Sequence, residues 1–103
     1  MTYNPIGSAE PIGVTTGEAP ITISVGTSNT VILAADDTRT AVFLFNDGLQ
    51  DCFLAFGQTA EDEKGFNLEK GEPLLIDKAA GLAINGITSA STTNILAITE
   101  ITS

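Results

Sequence analysis

The stretch Thr40–Gly57, TAVFLFNDGLQDCFLAFG, decides how the chain reads. Two short apolar runs flank NDGLQD, in which Asn46, Asp47 and Gly48 suit the turn conformations that other residues resist. The stretch therefore reads as two strands of a hairpin. Side chains alternate along a strand, so Val42 and Leu44 point one way and Ala41, Phe43 and Phe45 the other. In the second run Cys52, Leu54 and Phe56 oppose Phe53 and Ala55. Four of the five phenylalanines of the chain lie in this stretch. Both strands are apolar on both faces, whereas a strand at the surface of a small sandwich needs only one apolar face. One face belongs between two sheets, and the other needs a cover.

The rest of the chain supplies the sheets. ITISV (Ile21–Val25) alternates strictly, and TVILA (Thr30–Ala34) follows after the turn GTSN. Beyond the central stretch come FNLE (Phe66–Glu69), LLID (Leu74–Asp77), LAINGIT (Leu82–Thr88) and NILAITEIT (Asn94–Thr102). β-branched residues dominate these segments, and turn signals recur about every ten residues. One segment, QTAEDEKG, has helix-forming composition, and Thr59 with Asp62 resembles a capping pair, enough for one or two turns. The expected fold is all-β: an antiparallel β-sandwich or jelly roll of about eight short strands.

Residues 1–19 differ in character. MTYNPIGSAEPIGVTTGEA holds two of the four prolines, repeats PIG, and carries Tyr3, Ile6, Ile12 and Val14 as apolar beads on an extended string. The expected organisation is an extended N-terminal arm over 1–19 and a β-sandwich domain over 20–103. The arm is expected to lie along a neighbouring subunit or surface.

Composition narrows the function. The chain has 103 residues, 13 acids, four bases and no histidine, for a net charge of −9. So few cations cannot neutralise a run of phosphates, and an anionic membrane would repel the chain, so neither nucleic acid nor membrane is an expected partner. The N-terminus lacks the basic and apolar regions of a signal peptide, and no apolar run nears the ~20 residues of a membrane span. Synthesis in a cytoplasm is the expectation.

Chemistry is scarce. Without histidine, the commonest general base and metal ligand are missing, and no serine has a histidine to activate it. The single Cys52 can form no internal disulfide and reads as a small buried hydrophobe. No phosphate-cradling glycine loop occurs. The acids sit in loops, at Asp36–Asp37, Asp47 with Asp51, and Glu61–Glu63, where solvated charge is ordinary. A glycosidase pair finds few aromatic platforms beside it, and a loop Ca²⁺ site would lack the EF-hand pattern. No catalytic residue, metal site or cofactor is expected.

The pieces VILAADDTRTAVFLFN, CFLAFGQTAEDEKGFNLEKGEPLLID and NILAITE, within Val31–Glu100, resemble a family of small virion proteins of tailed bacteriophages. The resemblance is one of strands and turns and covers about two thirds of the chain. It implies a head decoration (cement) protein: a homotrimer on the outer surface of the capsid that clamps neighbouring copies of the major capsid protein, assembled in the host cytoplasm. A tail or head-fibre attachment module and a carbohydrate-binding sandwich are the alternatives.

Two coverings of the second apolar face stay open on sequence alone. A loop such as QTAEDEK, or the arm, could fold over it; or another copy of the protein could, as in a symmetric oligomer. The candidate oligomer interface is Phe43, Phe45 and Phe53. The candidate capsid-contacting residues are Tyr3, Ile6, Ile12 and Val14 of the arm.

Overall fold

A computed structural model describes residues 15–102. Among these residues nine strands form: β1 (Thr15–Gly17), β2 (Ile21–Val25), β3 (Thr30–Leu33), β4 (Arg39–Asn46), β5 (Cys52–Phe56), β6 (Phe66–Leu68), β7 (Pro73–Ile76), β8 (Ile84–Ile87) and β9 (Thr93–Thr102). β2 to β9 fall where alternation or a continuous apolar run placed them. β1 lies inside the stretch read as arm, so the sheet begins before residue 20.

The strands build two antiparallel sheets packed face to face. In sheet I the order is β1-β9-β4-β7, and β2 pairs with the first half of β9 on the same edge as β1. In sheet II the order is β3-β8-β5-β6. The pairs β2 with β9, β3 with β8, β4 with β7 and β5 with β6 are those of one long hairpin. Rolling that hairpin brings β9 beside β4 and β8 beside β5. This is the jelly-roll arrangement, and it selects between the two topologies that alternation alone leaves open.

The topology corrects the reading of Thr40–Gly57 as a hairpin. β4 belongs to sheet I and β5 to sheet II, so NDGLQD is an arch between sheets. The segments on either side of KGEP are likewise split, β6 in sheet II and β7 in sheet I. QTAEDEKG forms no helix. Glu63 and Gly65 adopt positive φ of 60° and 85°, and a Cβ on Gly65 would stand 2.3 Å from the Leu54 carbonyl oxygen. The backbone there is pressed against β5 and turns in a way no helix allows.

The inner faces meet in a core centred on Val25, Val42, Leu44, Leu54, Leu68 and Ile95. Gly86 in β8 keeps that core closed, because a Cβ there would lie 2.8 Å from Ile32 Cδ1 and 2.9 Å from Cys52 Sγ. Cys52 is fully buried, as expected, and burial pushes its thiol pKa from 9.0 to about 11.

Both ends of β4 are pinned by buried polar side chains. At its start, Arg39 donates from Nε to the Ala80 carbonyl at 2.7 Å, from Nη1 to Ala34 at 3.0 Å and from Nη2 to Leu82 at 2.8 Å. At its end, Asn46 Nδ2 donates to the carbonyls of Gln50 and Leu68, while its Oδ1 accepts from Thr93 Oγ1 and the Gly48 amide. These bonds join arches that the ladders leave unpaired, and they satisfy groups that would be costly to bury alone.

Candidate functional site: the outer faces of the two sheets

The two outer faces are treated differently. On sheet II the outward residues Asn85 and Ile87 are each 8% exposed, although no third sheet lies above them. The β5–β6 loop covers this side. Asn85 Nδ2 donates to the Gln58 carbonyl at 2.6 Å, and Asn29 Oδ1 accepts from the amide of Ala60, which is itself buried. The Ser89 hydroxyl donates to the Asp62 carboxylate. The loop is thus stitched to the β2–β3 turn, to β8 and to the β8–β9 turn. For sheet II, the covering is intramolecular, by the QTAEDEK segment.

Sheet I keeps its outer face open among the described residues. The register places Phe43 beside Ile98 and Leu75, and Phe45 beside Leu96 and Pro73. Paired residues share a face, so these six side chains form one apolar surface across β9, β4 and β7. Leu75 is 65% exposed, and Phe43, Phe45, Leu96 and Ile98 are half-buried by one another. Charge is confined to the margin, with Glu100 in register with Ala41 and Asp77 just beyond β7. A charge-free centre with acids at its edge suits contact with another apolar surface.

The candidate interface residues therefore separate. Phe43 and Phe45 share the open face, but Phe53 lies on the opposite sheet. There it borders a shallow pocket with Gln50, Glu63, Lys70 and Ser89. Leu75, Leu96 and Ile98 belong to the open face and escaped the sequence reading. The signal was present in β9, whose ILAI run is apolar on both faces as TAVFLF is. β9 and β4 turn out to be neighbours, so two two-sided strands make one surface. Tyr3, Ile6, Ile12 and Val14 lie outside the described residues.

Beside the open face, an apolar groove of about 420 Å³ runs between the free edges of the two sheets, lined chiefly by Phe56, Phe66, Leu74, Leu75, Ile76 and Leu82. Among the described residues β7 pairs only with β4, and β6 only with β5, so this side of the sandwich carries two edge strands. Phe66 and Leu82 are 44% and 45% exposed on its rim.

Elsewhere the side chains have ordinary structural duties. Asp36 accepts from the hydroxyl and amide of Thr38, bonds that hold its carboxyl below its usual pKa. Among the described residues no three acidic or thiol side chains converge on a point where a metal ion could sit. Comparison of the chain with protein-family models and with curated proteins returns no match.

Proposed function

We propose that this protein is a structural, non-enzymatic module that works by assembling. In this reading copies join through the outer face of sheet I into a homotrimer. The trimer sits on the outer surface of a tailed-phage head as a decoration (cement) protein, bracing the major capsid protein shell. The observation that carries the assembly step is the pairing of Phe43 with Ile98 and Leu75 on a face that no loop of the described chain covers. The phage setting rests on the resemblance of the Val31–Glu100 segments, and it fits a chain whose residues offer no evident chemistry.

The energetics suit the role. Apolar burial contributes about 25 cal/mol per Å², so covering a few hundred Å² is worth several kcal/mol, comparable with the stability of a small domain. Many copies on a symmetric shell then bind with high avidity from modest single contacts. The net charge of −9 keeps free copies apart at long range until an apolar contact is made.

The test is sedimentation with expanded heads of the cognate phage from which accessory proteins have been stripped. The protein is expected to pellet with the heads, saturably, in multiples of three, and to delay their rupture on heating. Protein that stays in the supernatant at every head concentration contradicts the decoration role.

A further inference from the structure

The groove between β6 and β7 collects three of the six large apolar side chains that are exposed among the described residues: Phe66, Leu75 and Leu82. It is apolar, with Asp77 and Lys78 at one end, and flanked by an edge of β7 that is unpaired among the described residues, which is the geometry that receives an extended segment as an added strand. Its occupant should be extended, apolar at alternate positions and nearly uncharged. Residues 1–14 of this chain have that character. Pro5 and Pro11 favour extended backbone, and Ile12 and Val14 stand two residues apart. Glu10 is their only charged side chain, which leaves all but one unit of the net −9 on the rest of the chain. Two sandwiches repel one another, whereas this segment approaches a sandwich almost without that penalty.

The direction of β1 favours the groove of a second copy. β1 is antiparallel to β9, with Thr15 in register with Thr102 and Gly17 with Glu100. At Thr15 the chain therefore enters from beyond the C-terminal end of β9. β7 lies on the other edge of sheet I, with β9 and β4 between them, about 14 Å away at ~4.8 Å per strand. To fill its own groove, the preceding segment would have to turn across the end of the sheet, past β9 and β4, and reverse its direction. Reaching a second copy requires no reversal.

Area points the same way. The open face spans about 15 Å by 15 Å from strand spacing and rise. That is well short of the ~800 Å² per partner of a stable interface, so a second contact is needed. We propose that residues 1–14 of one copy dock in extended form along β7 and the adjoining groove of a second copy. Donor and acceptor lie on opposite edges of one sheet, so the contact is head-to-tail, and a three-fold rotation between copies closes it as a ring. This rests on the assembly reading above and names the second contact of the trimer.

The experiment mixes full-length chains carrying Ile12→Cys with full-length chains carrying Lys78→Cys and adds a short bifunctional thiol reagent. Lys78 lines the groove, and the native Cys52 is buried and does not compete. The expected product is a cross-linked pair holding one chain of each kind. A chain carrying both substitutions is expected to link to its neighbours. Full-length protein with Ile12→Asp and Val14→Asp is expected to dissociate at least tenfold more readily while keeping its fold. A doubly substituted chain that links only to itself overturns the exchange. So does a trimer that forms no cross-link and tolerates the Asp substitutions, which would leave the segment to the capsid. Both of those failures spare the assembly reading. A wild-type monomer at all concentrations overturns both.

Discussion

The hydroxyl of Thr93 donates to Oδ1 of Asn46 at 2.6 Å, with both side chains buried at the end of the sandwich. This bond ties the last residue of β4 to the first of β9, strands that are 47 residues apart in sequence. The other atoms of the same amide hold the β4–β5 arch and β6, so Asn46 fastens both sheets where the chain crosses between them. A jelly roll has few local hairpins, and such pins substitute for the tight turns it lacks.

Asn46→Ala is expected to destabilise the protein by about 3–5 kcal/mol, because it strands the Thr93 hydroxyl and two carbonyls in a dry site and leaves a void. Asn46→Asp is expected to cost more at neutral pH, since a carboxylate would face two carbonyl oxygens. Urea unfolding of both variants checks the order. An Asn46→Ala loss under 1 kcal/mol would show that the pin is dispensable.

Arg39→Lys is expected to lose about 2–4 kcal/mol despite keeping the charge, since an ammonium cannot reproduce a fork that reaches three carbonyls. The released segment is Ala79–Leu82, so hydrogen exchange there should accelerate before the core opens. Equal protection in the variant and the native protein would contradict this role.

Much of this architecture was legible, and the limits have physical causes. Alternation in ITISV and the two-sided apolar runs located the strands, because burial between two sheets imposes it directly. Pairing was not legible, since β4 meets β9 and β7 through contacts distant in sequence, and NDGLQD has the same residues whether it closes a hairpin or arches between sheets. For that reason Phe53 was grouped with Phe43 and Phe45, although it faces the opposite way. The loop over sheet II was a stated alternative, but its docking depends on Asn29, Asn85 and Ser89, which carry no signal in composition.

Cys52 provides a pH test. Its folded pKa, raised to about 11 by burial, lies above the value near 9.0 of an exposed thiol. The unfolded chain therefore loses its proton first. The contribution is fully present below pH 9 and is lost as pH rises from there toward 11. Alkylation at pH 8 is expected to be slow and to track unfolding. Rapid labelling of the native protein would contradict the burial.

Gly65→Ala is expected to destabilise by at least about 2 kcal/mol, because φ is 85° and the added Cβ would meet the Leu54 carbonyl. Gly71→Ala, at a similar φ of 79° but with open space around it, should cost less. Thermal unfolding of the pair separates steric contact from conformational strain, and equal losses would mean that contact with β5 contributes nothing.

The central claim is that the outer face of sheet I joins copies of the protein. The direct measurement is solution mass by light scattering for the native protein, Phe43→Ser and Phe53→Ser. The expected result is three times 10.6 kDa for the native chain and for Phe53→Ser, and a folded single chain for Phe43→Ser. A native monomer, or a Phe43→Ser protein that remains trimeric, would contradict it.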